Sequence, residues 1–179
     1  ILEAEKQASR ARIDAHLEAG FDGLNHNEPK AAVASFDSAL AMQPKSVEAI
    51  SGKALALGRL GDYEGCLRFI DREGAGVTHD RVLRTMKTIA LRNMGREGEA
   101  ADIEKAAKGP VSGTVDHFLA GLTLMNDALA RREPPGPGFR KAYDHFMRAA
   151  LMAPDARKIY HLQLAHAADH LNDAEAAEL

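Results

Sequence analysis

Three histidines near the end of the chain come closest to the spacing of a chemical site. His166 and His170 are four residues apart, so on a helix their imidazoles share one face, as pairs of zinc ligands do. No Glu follows His166, as one does in the HExxH arrangement, and a third ligand has to come from His161 or Asp169. We therefore expect a solvated helix face with no bound metal, and we expect no other cofactor.

Other reactive patterns are missing from the sequence. Cys66 is the single cysteine, so the chain has neither a CxxC pair nor an internal disulfide, and we expect a buried, unreactive thiol. The Gly-rich stretches 73–76 and 95–98 lack the Lys-Ser/Thr of a phosphate loop and are predicted turns. No GxSxG nucleophile motif occurs. We therefore predict that the chain is not an enzyme.

Composition limits the class of protein and its partners. Hydrophobic residues make up 45% of the 179 residues, aromatic residues only 5%, and Trp is absent, which favours an all-α fold with closely packed helices. A net charge of -3 provides no overall basic field, so we expect no nucleic-acid partner. No apolar run reaches the roughly 20 residues of a membrane span.

The chain begins with Ile1 and not with Met, and we expect a mature form or an excised piece. A single cysteine suits the reducing cytoplasm but is also compatible with a periplasmic protein, and the compartment and the oligomeric state stay open.

Helix-forming segments recur with a period of 34 residues. Gly61 and Gly95 open equivalent turns, and Asn27 lies one period earlier. The periodic segments predict nine helices, followed by a short one from Asp173; the nine are expected at about 2–25, 29–42, 46–60, 63–73, 79–94, 97–107, 113–132, 138–152 and 155–171.

Small residues and an aromatic ring also recur at fixed spacings. Ala32, Phe36, Ala39 and Pro44 have the same mutual spacings as a second set, Ala142, Phe146, Ala149 and Pro154. The small residues, with Gly20 and Gly121 on the preceding helices, predict places where two helices approach closely. A stretch rich in Pro and Gly near 131–138 lengthens the last unit by about nine residues and is predicted to be a loop insertion.

These glycines, the Ala-x3-Phe pattern and the closing Pro resemble the tetratricopeptide-repeat (TPR) family. The resemblance is weaker in the third unit, where Glu104 replaces an aromatic residue. It implies an all-α, right-handed superhelix of stacked antiparallel helix pairs in a single domain spanning 1–179. The parts are a helical lead-in (1–12), four repeats (13–46, 47–80, 81–113 and 114–156) and a C-terminal capping helix (157–179).

In this family a concave groove binds a peptide or a helix of a partner protein, and the resemblance implies the same function here. The residues that it places in the groove are mostly apolar and are edged by polar side chains: Leu17, Phe21, Asn25, Leu55, Arg59, Ile89, Asn93, Phe118, Leu122 and Asn126. We expect these residues to align as an exposed apolar stripe.

Several alternatives stay open. The groove could be filled by another segment of the same chain, or its apolar residues could belong to the core. The chain could also be a docking or regulatory domain of a larger enzyme such as a transferase, or a self-assembling scaffold. Finally, basic residues outnumber acidic ones around the insertion, where Arg140, Lys141 and Arg148 are close in sequence, so an acidic partner could dock there.

Overall fold

The computed structural model is helical throughout the residues that it describes, which are 2–74, 81–106, 111, 113–131, 136–152 and 158–177. Within these ranges there are nine α-helices and no strand. In chain order they are α1 (Leu2–Asn25), α2 (Pro29–Met42), α3 (Val47–Leu60), α4 (Tyr63–Glu73), α5 (Arg81–Asn93), α6 (Glu97–Ala106), α7 (Thr114–Ala130), α8 (Pro137–Met152) and α9 (Lys158–Ala177).

The helices form two compact units, Ile1–Lys108 and Gly109–Leu179. In the first unit each helix packs against the next one, and α3 also contacts α1 and α5. In the second unit α8 packs against both α7 and α9. The all-α prediction is confirmed for the described residues, whereas the single stacked domain stays a prediction.

The turns of the first unit repeat at 34 residues in backbone detail. Asn27, Gly61 and Gly95 have positive φ angles of 58°, 75° and 74°, which glycine and asparagine adopt most readily. Each amide donates to the carbonyl three residues earlier, and the next amide donates to the carbonyl five residues before itself. These two bonds form a Schellman motif, which satisfies carbonyls that the preceding helix leaves without partners.

Each of these turns leads into a helix with a small buried residue at the same place. Ala32, Cys66 and Ala100 are 34 residues apart, and all three are fully buried. The amide of each one donates to the carbonyl four residues before it, which belongs to the residue that follows the positive-φ position. The prediction that Cys66 is buried is therefore confirmed.

Aromatic rings lie directly against glycine backbone. A Cβ atom added at Gly20 would lie 2.6 Å from the Phe36 ring, and one added at Gly52 would lie 2.3 Å from it. In the second unit a Cβ atom at Gly121 would lie 2.6 Å from the Phe146 ring. The predicted close approaches at Gly20 and Gly121 are thus confirmed, and the alanines predicted at such places, Ala32, Ala39, Ala142 and Ala149, are fully buried.

One ion pair also repeats at the same interval. Lys53 bonds Asp37 across α2 and α3, and Lys87 bonds Asp71 across α4 and α5, each at 2.5 Å. Partly exposed ion pairs of this kind usually contribute little to the free energy of unfolding. Their equivalence shows instead that two successive pairs of helices meet with the same register.

The C-terminal prediction needs a correction. We expected one helix to end near residue 171 and a short one to begin at Asp173, but α9 continues without a break to Ala177. Asn172 and Asp173 favour turns, yet neither prevents a helix as Pro does, so the surrounding Ala, Leu and Glu residues carry the helix through. Part of the predicted insertion lies outside the described residues. Pro154 also lies outside them.

We predict that the ring-on-glycine contact limits side-chain size at Gly52. Gly52→Ala should lower the free energy of unfolding by about 1–3 kcal/mol, because the added methyl overlaps the Phe36 ring. Gly98→Ala is the matched control: this exposed helical position has open space around it, and the change should be neutral or slightly stabilising. Denaturant unfolding monitored by circular dichroism measures both, and equal effects would contradict the contact.

Candidate functional site

Half of the predicted groove residues lie in the core. Leu17 and Phe21 are fully buried, as is Phe118, and Leu55 and Leu122 are at most 5% exposed. The structure therefore does not place these five side chains on an exposed apolar stripe. In this conformation they are inaccessible to a partner, so any contribution from them to binding is indirect.

Aromatic neighbours account for two of these buried positions. Phe21 meets the Phe36 ring edge to face, with 5.1 Å between centroids. Phe118 lies 6.1 Å from the Phe146 ring and 4.8 Å from the ring of Tyr160, which α9 contributes. The capping helix thus covers a side chain that we expected to face a partner.

The other predicted groove residues keep part of their surface. Ile89 is half-buried and Asn93 is exposed, and both lie on the same face of α5 as the exposed Arg92. The Asn93 amide donates to the Ile89 carbonyl at 2.9 Å, and Arg92 pairs with Glu104 at 2.9 Å. Two more predicted groove residues, Asn25 and Asn126, are half-buried, and each already has an interaction within the chain.

Arg59 has a role that the sequence did not indicate. Its guanidinium donates a hydrogen bond to the carbonyl oxygen of Leu24, in the last turn of α1. Carbonyls in a final turn lack helical donors, and the helix dipole favours a cation there. Burial lowers the pKa of Arg59. The side chain therefore ties α3 to the end of α1. No local motif marks this contact, because the two residues are far apart along the chain.

The histidines of α9 are used in packing. His170 stacks on Phe139 with 4.6 Å between ring centroids, and the His166 ring lies 4.8 Å from the His170 ring. His161, the third histidine, is exposed. Among the residues described, no group of three or more His, Cys, Asp or Glu side chains is placed to hold a metal ion. The absence of a metal or another cofactor stays a prediction.

A second histidine pair joins α7 to α8. The Nδ1 atoms of His117 and His145 are 2.9 Å apart, a hydrogen bond in which one ring donates and the other accepts. His117 is 8% exposed, and His145 is half-buried. Sequence reasoning missed this pair because its members lie on different helices, and neither carries a local motif.

Cys66 is fully buried, and its thiol donates to the carbonyl oxygen of Ala54 at 3.5 Å. Burial and, to a smaller extent, the negative charge of Asp62 raise the pKa of Cys66 to about 12. Because the thiolate is the reactive form, the environment suppresses nucleophilic chemistry at this residue.

A cleft of about 320 Å³ opens in the first unit over α4, α5 and α6. Its apolar side chains are Leu67, Leu91 and Met94, of which Met94 is 41% exposed. The charged residues of its walls pair with each other: Glu64 with Arg68, Asp71 with Lys87, and Glu99 with Arg96. The cleft thus presents balanced charge.

The Arg96–Glu99 pair in this wall is bidentate, with both hydrogen bonds at 2.7 Å. The hydrogen bond between the two side chains raises the pKa of Arg96 and lowers the pKa of Glu99. Both groups therefore stay charged at neutral pH and satisfy each other.

A cleft of about 330 Å³ lies between α7 and α8 in the second unit. Its lining combines one apolar residue with four polar or charged ones: Leu124, Lys141, Asp144, His145 and Arg148. This cleft falls within the basic region that the sequence indicated.

Comparison with protein-family models, with curated proteins and with solved structures found no match to this chain. No helix in the part of the chain that the structure describes is long and apolar enough to cross a membrane.

We predict that Cys66 is unreactive while the protein is folded. At pH 8 a disulfide reagent such as dithionitrobenzoate should modify it only as fast as the chain opens, because burial keeps the thiol protonated. The control is Ala41→Cys in a Cys66→Ala background, which puts a thiol at an exposed position of α2 and should react within the mixing period. Similar rates for the two thiols, read from absorbance, would contradict the burial.

Proposed function

We propose that the chain is a TPR-like helical-repeat module that binds a segment of a partner protein. The main support is the repeated unit of the first half, in which the turn geometry, the buried small residue and the Lys–Asp pair recur at 34 residues. Repeat proteins of this kind stack their units and use an extended surface for partners. The contacts of α3 with both α1 and α5 agree with such stacking.

The surface that we propose is smaller than the stripe expected from the sequence. It centres on α5, where the half-exposed Ile89 shares a helix face with the polar side chains of Arg92 and Asn93. An apolar side chain edged by groups that can hydrogen-bond suits a peptide or one face of an amphipathic helix. The buried residues Leu17, Phe21 and Leu55 belong to the core of the same unit, and α3, which carries Leu55, contacts α5.

This function requires no catalytic group. Two of the reactive candidates have structural roles, since Cys66 is buried and protonated and His170 packs on Phe139. The same surface is compatible with the alternative that the chain is a docking domain of a larger enzyme. In that case the surface would bind a protein segment on behalf of the enzyme.

The test is a charge placed on α5. Ile89→Asp should abolish capture of the partner from an extract of the source cells while leaving helicity intact, because a carboxylate there cannot enter an apolar contact without a large desolvation cost. Leu55→Asp is expected to unfold the first unit, since that side chain is only 2% exposed. Quantitative mass spectrometry of the captured proteins and circular dichroism give the two measurements.

Val33→Asp serves as the matched control, because Val33 is also a half-buried aliphatic residue but lies on α2. The proposal fails if Ile89→Asp retains the captured protein, or if Val33→Asp loses it equally. Light scattering on the purified chain separates self-assembly from binding, since a scaffold should increase in mass without any partner.

A further inference from the structure

We propose that the cleft between α7 and α8 binds an acidic segment of a partner protein through Lys141 and Arg148. This surface lies on other helices than the α5 surface and is a second site. The bound segment presents carboxylates to the two cations and an apolar side chain to Leu124 and Met152.

The first support is the charge of Lys141 and Arg148. Both are exposed, and within the described part of the chain neither forms a hydrogen bond or an ion pair. Asp144 lies between them in sequence and lines the same cleft, yet it pairs with neither. Lys53 and Lys87 of the first unit, by contrast, are each neutralised by an aspartate at 2.5 Å. The α8 cations are therefore available to an external anion.

The second support is alignment along one helix. Lys141, His145, Arg148 and Met152 follow the spacing i, i+4, i+7 and i+11, which places them within about 60° of each other around α8. The buried residues Ala142, Phe146 and Ala149 occupy the neighbouring face, so the row runs along the edge of the packed surface. Met152 is 52% exposed and offers an adaptable apolar contact at the end of the row.

The third support is a rigid base for the row. His145 lies between the two cations and is held by the 2.9 Å hydrogen bond to His117 of α7. His117 is 8% exposed, so the bond is largely shielded from water. Leu124, also on α7, forms the apolar side of the cleft. A site with fixed walls loses less conformational entropy when a ligand binds.

The spacing of the cations favours a peptide over a nucleic acid. Lys141 and Arg148 are separated by about 10 Å along the helix axis. Three residues of a polyproline II peptide span about 9 Å and return the side chain to the same face, so two carboxylates three residues apart match the pair. A nucleic acid requires many cations to neutralise its phosphates, whereas acidic residues outnumber Lys and Arg within 109–179.

The experiment measures the affinity of the chain for a short labelled peptide by fluorescence anisotropy. In this peptide Glu occupies every third position, and Leu lies between successive Glu residues. The wild-type chain should bind it at least about fivefold more tightly than the same peptide with Gln in place of Glu. Lys141→Glu combined with Arg148→Glu should remove this preference, and raising the salt concentration should weaken it. Met152→Ser should weaken both peptides alike.

The matched control is Lys30→Glu combined with Lys45→Glu, which changes the net charge equally at two exposed positions of the first unit. It should alter the affinity by less than about twofold, because its charges are far from α8 along the chain and are screened by salt. Circular dichroism and thermal unfolding verify that both double variants fold. Ile89→Asp should leave this binding unchanged, so failure here is distinguishable from failure of the α5 surface.

Three results would overturn the proposal. The wild-type chain could show no preference for Glu over Gln, or the control variant could lose as much affinity as the α8 variant. A single-stranded oligothymidine could also displace the Glu peptide at matched charge concentration, which would indicate a phosphate-binding surface instead.

Discussion

The fold of the first unit depends on an aromatic ring that fits against bare backbone. Phe36 extends from α2 to the positions of Gly20 on α1 and Gly52 on α3, where any Cβ atom would collide with it. One ring thereby fixes the separation of three helices. Phe146 and Gly121 form the same contact in the second unit, with an insertion between them in sequence. Because interiors are close-packed, such a contact specifies register as well as stability.

The sequence predicted this part well because the physical cause is local. Left-handed turns favour glycine, as at Gly61 and Gly95, and close contacts between helices require small residues such as Ala32 and Ala39. These requirements leave visible residue types at fixed intervals. Helix ends were less predictable: the continuation of α9 past Asp173 depends on weak preferences that sum over many residues.

The candidate surfaces were predicted less well, for a different reason. Periodicity shows which residues share a face, but it does not show what covers that face. Phe118 has the right helical position for a groove, yet Tyr160 from a distant part of the chain lies over it. The bonds of Arg59 to Leu24 and of His117 to His145 likewise join residues with no sequence motif. The basic face of α8 was visible because its charges are close together in sequence, although the pairing state of Lys141 and Arg148 required the structure.

A repeated structure can mispair, and the packing residues of this chain oppose such mispairing. If every unit were identical, a helix could pair with the wrong neighbour, or with the equivalent helix of another molecule, at little cost in free energy. In this chain the residue 34 positions after Phe36 is Ile70, and the residue 68 positions after it is the exposed Glu104. The residue 34 positions after Gly52 is Met86. The Phe36 ring therefore has no room at the equivalent position one unit later. Variation in side-chain size disfavours packing against an equivalent helix of another repeat, so the backbone can repeat while one order of assembly is favoured.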